Sequence, residues 1–373
     1  MTTPAATAAA ASAAASADHY RSIFRPGLFD GRTVIVTGGG SGIGRCCAHE
    51  LAALGAHVAI VGRSADKLAA VQAEIESAGG RVSTHAGDIR DEAGVGAMVD
   101  AVLQRTGRID GLVNNAGGQF FSPLEQITTK GFEAVVRNNL TGGFIVMREV
   151  YTRWMAAHGG AIVNMTADMW NGLPGIAHSG AARAAMNSLT ESAACEWAAA
   201  GVRVNSVAPG VIASSGFDHY DGAAVERILD YTRTVPAQRY GTVSEVSAAI
   251  VFLLSPAAGF ITGSCIRIDG GGPNARSSWK LQPHDKSVAF EAFHLDSAPA
   301  LLKGKAGLSG SGAWPSGRWR ERSAILRRRR RRDGAPSLQG SAPPIACLPP
   351  ASASCTSPTF TSARSGRRRA GAT

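Results

Sequence analysis

The chain lacks any run of about 18 consecutive apolar residues, so no segment reads as a membrane-crossing helix. Its cysteines, Cys46, Cys47, Cys195, Cys265, Cys347 and Cys355, include no CxxC pair and no Cys/His spacing suited to a metal, and none is expected. Cys46 and Cys47 are neighbours on one predicted helix, where a disulfide is geometrically disfavoured. The thiols are read as reduced, in a cytoplasmic protein. The opening MTTPAATAAAASAAASADHY has no basic stretch followed by an apolar core, and so is no secretory signal. Arg21 and Arg25 leave an organelle transit peptide open, while a flexible Ala/Ser leader over residues 1–26 is the preferred reading. The chain ends Gly371-Ala372-Thr373, which is not a peroxisomal address of the Ser-Lys-Leu kind. Charged residues are also scarce, at 18%, whereas 45% hydrophobic content excludes a wholly disordered chain.

The net charge of +10 is unevenly placed. Residues 304–373 carry fourteen basic side chains, including the run Arg327 to Arg332, against Glu321 and Asp333. That gives +12 for the tail and leaves −2 for residues 1–303. Gly, Ser, Pro and Arg dominate this tail with no apolar period, so it is read as disordered, or as a frame-shifted extension. Its arginines could hold nucleic acid only non-specifically, and no specific nucleic-acid or membrane partner is expected.

Between Gly27 and Gly272, short β-branched runs alternate with helical stretches. The strand candidates are Thr33–Thr37, His57–Val61, Arg81–His85, Gly111–Asn114, Ala161–Met165, Arg203–Ala208 and Ser264–Ile268. Most are continuous apolar runs, as expected of parallel strands covered on both faces. Ala65–Ala78 and Ala181–Ala200 have helical periodicity. The expectation is an α/β fold: one Rossmann-type doubly wound parallel sheet over residues 27–272, with helices on both faces. Residues 273–303 mix aromatics and acids, and read as an extension that could pack on this domain.

The first strand candidate runs into Gly38-Gly39-Gly40-Ser41-Gly42-Ile43-Gly44, and a helix follows. Strand, glycine turn and helix in that order let backbone approach a pyrophosphate and aim free N–H groups at it. About 20 residues on, where an acidic residue would pair with a ribose 2′-hydroxyl, the chain has Arg63. A permanent guanidinium suits a 2′-phosphate, which makes NADP(H) the expected cofactor.

The ordered set TGGGSGIG (37–44), Asp88-Ile89, Asn114-Asn115-Ala116-Gly117, Asn139-Leu140-Thr141-Gly142, Arg203-Val204-Asn205, Pro209-Gly210 and Ile261-Thr262-Gly263 resembles the short-chain dehydrogenase/reductase family. The resemblance implies that Asp88 and Ile89 border the adenine and that Asn115, Ala116 and Gly117 line the cofactor. Pro209, Gly210 and Ile212 would hold the nicotinamide amide, and the protein would be a homo-oligomer, tetramer or dimer. Gly117-Gly118-Gln119-Phe120, Ser122-Pro123-Leu124-Glu125, His178-Ser179-Gly180-Ala181-Ala182-Arg183 and Phe252 to Ala258 are most similar to peroxisomal-type trans-2-enoyl-CoA reductases. Citronellol/citronellal dehydrogenase-like proteins look similar too. The substrate is accordingly an acyl-CoA or a terpenoid.

The family's usual catalytic set is a Tyr-x-x-x-Lys, an earlier Ser and an upstream Asn. Here the Tyr position falls on Ser179, the Lys position on Arg183, the Ser position on Thr166 or Ala167, and Asn139 matches the Asn. Arg183 keeps a permanent charge and can hydrogen-bond the ribose hydroxyls of the cofactor, but cannot readily share a proton. His178 titrates near neutrality as a type and is an alternative proton donor or a substrate-lining residue. Tyr220, in the stretch that normally covers substrate, is the remaining tyrosine of interest.

Ketone reduction makes a strongly basic alkoxide and calls for a strong positioned acid. Reducing an α,β-unsaturated thioester leaves a less basic enolate that chiefly needs donors at its oxygen. Ser179, Thr166 and Arg183 suit the second task. The expectation is NADPH-dependent C=C reduction of a trans-2-enoyl-CoA-like substrate. The alternatives are an NADP-dependent terpenoid alcohol/aldehyde dehydrogenase, or a degenerate NADPH-binding protein.

Overall fold

The computed structural model describes residues 19–302, apart from 221 and 298. The readings made for residues 1–18 and for 303–373 lie outside the described residues. Seven strands form one parallel sheet: β1 (Thr33–Thr37), β2 (His57–Gly62), β3 (Arg81–Ala86), β4 (Gly111–Asn114), β5 (Gly160–Met165), β6 (Val202–Pro209) and, last in the chain, β9 (Cys265–Ile268). Their order is β3-β2-β1-β4-β5-β6-β9. All seven sequence-derived strands are present, with ends displaced by one residue at most. The inner strands such as β1, β4 and β6 survive because they are apolar runs buried on both faces, while β3 and β9, at the two edges of the sheet, are only partly buried.

The helices α1 (Gly42–Ala53), α2 (Ala65–Ser77), α3 (Glu92–Thr106), α4 (Thr129–Val136), α5 (Gly142–Val150), α6 (Ala177–Glu196), α7 (Gly222–Thr234) and α8 (Val243–Leu254) connect them. Val34 and Val36 of β1 pack with α1, α2 and α8 on one face, whereas Ile35 packs with α3, α5 and α6 on the other. Strand order reverses between β1 and β4, which opens a crevice at the carboxyl ends of those strands, the usual ligand position in such sheets.

Two local features position the site. Helices α4 and α5 are joined by a wide π turn, Arg137–Thr141, that contains Asn139; such turns are frequent at functional sites. Helix α6 begins four residues earlier than its periodicity suggests, directly after the Pro174-Gly175 turn, so His178 and Ser179 sit in its first turn. A small parallel pair, β7 (Ile212–Ala213) with β8 (Gly241–Thr242), lies beyond the sheet.

Beyond Gly272, the segment 290–293 lies against α8. Phe290 N–H donates to Glu245 Oε1 at 3.2 Å, and the N–H groups of Ala292 and Phe293 donate to Ser244 Oγ at 3.1 and 3.2 Å. The buried Phe293 ring meets His49 at 4.8 Å, with the Arg45 guanidinium 5.1 Å from its centre. Leu302 is buried with Phe217, Ile228 and Tyr240.

Candidate active site

At the end of β1, Gly38 and Gly42 take left-handed φ of +68° and +52°. A Cβ on Gly38 would lie 2.7 Å from Asn115 Nδ2, and one on Gly44 would collide with the Gly38 carbonyl. Both positions therefore admit only glycine. The first helical N–H to find an intrahelical acceptor is that of Arg45, bonded to Ser41 O at 3.1 Å. The N–H groups of Gly42, Ile43 and Gly44 thus end the helix without intrahelical acceptors and with its positive partial charge.

A cavity of about 240 Å³ opens beside this turn. Of the sequence-derived cofactor residues, Gly38, Ser41, Arg63, Asp88, Ile89, Ala116 and Gly117 line it. Asn115 instead ties the wall together: its Nδ2 donates to Thr37 O at 2.9 Å, while its own N–H and that of Ala116 donate to Thr37 Oγ1. Asp88 is bridged to Arg90, whose hydrogen bonds hold the carboxyl down at about 2, with Arg63 adding to the effect. Ser64 and Lys67 also line the cavity and were missed from sequence. The signal was present, since Lys67 falls one turn after Arg63 at the start of α2, a spacing that brings both cations to one end of the helix.

The turn after β6 comes close to β9. Gly210 N–H donates to Ile268 O at 3.0 Å, and a Cβ there would lie 3.0 Å from Asp269 Cα. Pro209 ends β6, and Ile212 is buried at the start of β7. These residues are outside the cavity lining.

Asn139, Arg183 and Gly117 meet. Asn139 Oδ1 accepts from Gly118 N–H at 3.0 Å, and its Nδ2 donates to Gly118 O at 2.6 Å and Val135 O at 3.0 Å. A Cβ on Gly117 would press on Asn139 Oδ1 and lie 2.5 Å from Arg183 Nη2. Arg183 is 7% exposed and donates to Met165 O at 2.6 Å. No carboxylate pairs with it among the described residues. Burial alone pulls its pKa down to about 10, so it remains a cation at neutral pH. An unpaired buried charge costs several kcal/mol, roughly 3–5 when a partner is removed. This guanidinium is held in a position where an anionic or oxygen-rich ligand would relieve that cost.

Ser179 is buried, and its hydroxyl donates to Gln119 Oε1 at 3.5 Å. Gln119 Nε2 in turn donates to Tyr220 OH at 2.9 Å. His178 is fully buried; neither ring nitrogen has a hydrogen-bond partner, and the ring stands edge-on to Phe120 at 4.5 Å. Thr166 does not join the group. Its hydroxyl donates to Val207 O at 2.9 Å, toward β6 and Cys265. Counting back thirteen residues from Ser179 lands on Thr166, one residue past the end of β5, where its hydroxyl is engaged by the neighbouring strand. Asp168, two residues on, is a further acid that sequence reasoning missed, its carboxyl pushed up by burial and by Asp269.

No group of three or more metal-binding side chains occurs among the described residues, nor any helix long and apolar enough to cross a membrane. The family model described as Enoyl-(Acyl carrier protein) reductase matches residues 38–272. The chain is similar to the protein named probable 2,4-dienoyl-CoA reductase in Bacillus subtilis (strain 168), 36% identical over 64% of this chain and 96% of the relative. It is 35% identical to the peroxisomal 2,4-dienoyl-CoA reductase of Danio rerio, over 68% of this chain and 85% of the relative. Among solved structures, the citronellol catabolism dehydrogenase (AtuB) of Pseudomonas aeruginosa PAO1 is 58% identical, with a TM-score of 0.61, over 68% of this chain and 99% of that one. The glycine turn, the reversed strand order and these matches together make the chain a member of the short-chain dehydrogenase/reductase family, whose fold binds a nicotinamide cofactor.

Proposed function

We propose that the protein is an NADPH-dependent reductase of acyl thioesters whose C=C bond is conjugated to the carbonyl. The observation that carries this reading is the buried, carboxylate-free Arg183 beside Ser179, where the family's usual set has a lysine and a tyrosine. Such a pair supplies charge and a hydroxyl to an oxyanion but no readily transferred proton, which suits an enolate better than an alkoxide.

The residues present fit the cofactor. Gly38 and Gly44 have no room for a Cβ, the N–H groups of Gly42 to Gly44 at the helix start would meet the pyrophosphate, and Arg63 with Lys67 would take the 2′-phosphate. Asp88 and Ile89 would border the adenine, and Pro209, Gly210 and Ile212 the nicotinamide amide. NADPH, when bound, supplies a hydride. Asn139 keeps Gly117 and Gly118 in place beside Arg183, and Arg183 and Ser179 face the developing oxyanion. The diene of the named relatives and the simple enoyl thioester are both acceptors of this kind. The reading carries with it a cytoplasmic homo-oligomer, which the family resemblance supports.

A second reading, an NADP-linked dehydrogenase of terpenoid alcohols or aldehydes, is favoured by the 58% identity to the citronellol catabolism dehydrogenase. Purified protein with NADPH and crotonyl-CoA, longer enoyl-CoA and 2,4-dienoyl-CoA separates the two. Cofactor oxidation is expected with the thioesters; turnover of citronellal alone would select the second reading. Tight NADPH binding with no turnover of either would remove both. Arg183→Ala is expected to lower thioester turnover by roughly 100-fold and Ser179→Ala by about tenfold. Wild-type rates in both would dismiss the site.

A further inference from the structure

The amide of Gln119 lies between two hydroxyls. On one side it accepts from Ser179 Oγ at 3.5 Å, and on the other it donates to Tyr220 OH at 2.9 Å. An amide offers a carbonyl to one neighbour and an N–H to the other, so it consumes only one of the two hydroxyl hydrogens. The hydrogen engaged is that of Ser179, across a contact of 3.5 Å that is long enough to yield to a substrate oxygen. Tyr220 receives a hydrogen bond, and its own O–H has no acceptor among the described residues.

The phenol is also held in place. Tyr220 caps the short turn Ser215–His219, its ring stands edge-on to Phe121 at 5.1 Å, and it packs on the cluster of Phe217, Ile228 and Tyr240. Gln119 is two residues from Gly117, the point at which Arg183 and Asn139 meet. Burial pushes the phenol pKa up, which keeps its proton in place at neutral pH.

We propose that Tyr220, lent from the segment between β7 and α7, is the hydroxyl donor to the substrate's acyl oxygen, taking over from the tyrosine absent at position 179. This rests on the reductase reading. In the step, the C–H bond of the reduced nicotinamide would break to leave NADP⁺, its hydride and electron pair forming a C–H bond on the terminal carbon of the conjugated C=C. The displaced π pair moves through the conjugated system to the acyl oxygen as an enolate. Tyr220 donates a hydrogen bond to that oxygen and retains its proton. Solvent then supplies a proton to carbon, and the carbonyl re-forms.

Tyr220→Phe keeps the ring and its packing and removes only the hydroxyl. With crotonyl-CoA and NADPH, kcat is expected to fall roughly 10- to 100-fold, with NADPH affinity by fluorescence titration unchanged. A readout independent of turnover is the near-ultraviolet absorbance of acetoacetyl-CoA enolate bound with NADP⁺. The wild type should raise it and Tyr220→Phe should not. Gln119→Met, which leaves the phenol in place without its partner, is expected to give a rate between the two. Wild-type kcat and enolate absorbance in Tyr220→Phe would overturn the proposal, as would a Gln119→Met rate below that of Tyr220→Phe. If the wild type reduces citronellal and no thioester, the thioester reading fails alone; a lower citronellal rate in Tyr220→Phe then still supports the phenol as donor, and an equal rate overturns it. If the wild type reduces neither, both fall.

Discussion

Removing Arg63 and Lys67 tests the cofactor assignment directly. Both side chains line the cavity beside the glycine turn, and both are exposed. A hydrogen bond to a charged group contributes about 1.5–3 kcal/mol when well made. Exposure and a Debye length of about 8 Å at physiological salt place each cation at the lower end, near 1.4 kcal/mol, or about tenfold in affinity. Arg63→Ala and Lys67→Ala should therefore each raise the Kd for NADPH about tenfold. The pair should fall short of a hundredfold, since both would touch one phosphate and cannot act independently. NADH carries a hydroxyl there, so its Kd should change by less than about twofold. Arg63→Asp should go further and invert the preference, because an acidic side chain repels the phosphate and accepts from the hydroxyl. The assay is nicotinamide fluorescence titration with both cofactors at 0.15 M and 1 M salt. At the higher salt the wild-type preference should narrow, the screening length having shrunk to about 3 Å. Equal losses for NADPH and NADH, or no loss for either, would refute the assignment.

Two further outcomes follow from the packing. Thr166→Val should leave turnover at the wild-type level and cost about 1 kcal/mol in urea unfolding, since the Thr166 hydroxyl serves Val207 O, which the Thr166 N–H also holds at 2.8 Å; a large drop in kcat would return that hydroxyl to the reaction. The carboxyl of Asp296 is pushed up to about 6 by burial, and that of Glu291 to about 7 by burial and then by Asp296 and Glu245. Both folded values exceed the unfolded ones of about 3.9 and 4.3, so the folded state binds more protons in between and these groups favour it as pH falls from about 8 toward 5. His49 acts oppositely: burial lowers it to about 4, and its contribution is lost as pH falls below about 6.5. Asp296→Asn should flatten the rise in melting temperature between pH 8 and 6, His49 being common to both proteins and so cancelling in the difference; an unaltered rise would show that this carboxyl has no part in it.

What could be read from the chain without coordinates was what short-range chemistry decides. The inner strands are legible because parallel strands buried on both faces must be continuous apolar runs, and the run in β1, Thr33–Thr37, is buried at every position. The glycine turn is legible because no other residue tolerates the left-handed φ of Gly38 or the closeness of Gly44 to the Gly38 carbonyl. Arg63 and Arg183 stood out as departures from a familiar pattern at known spacing. Tertiary structure alone decided the rest. Thr166 lies one residue past β5, and its hydroxyl is taken up by Val207 O of the neighbouring strand. Arg183 is buried without a carboxylate because of what folds around it, a fact no spacing encodes. The Gln119–Tyr220 hydrogen bond spans 101 residues, and the segment from Phe290 to Phe293 is held by side chains of α8 where it has no period of its own. Local sequence dictates which elements form; contacts between distant elements decide which side chains share one site, and those depend on the packing of the whole sheet and its helices.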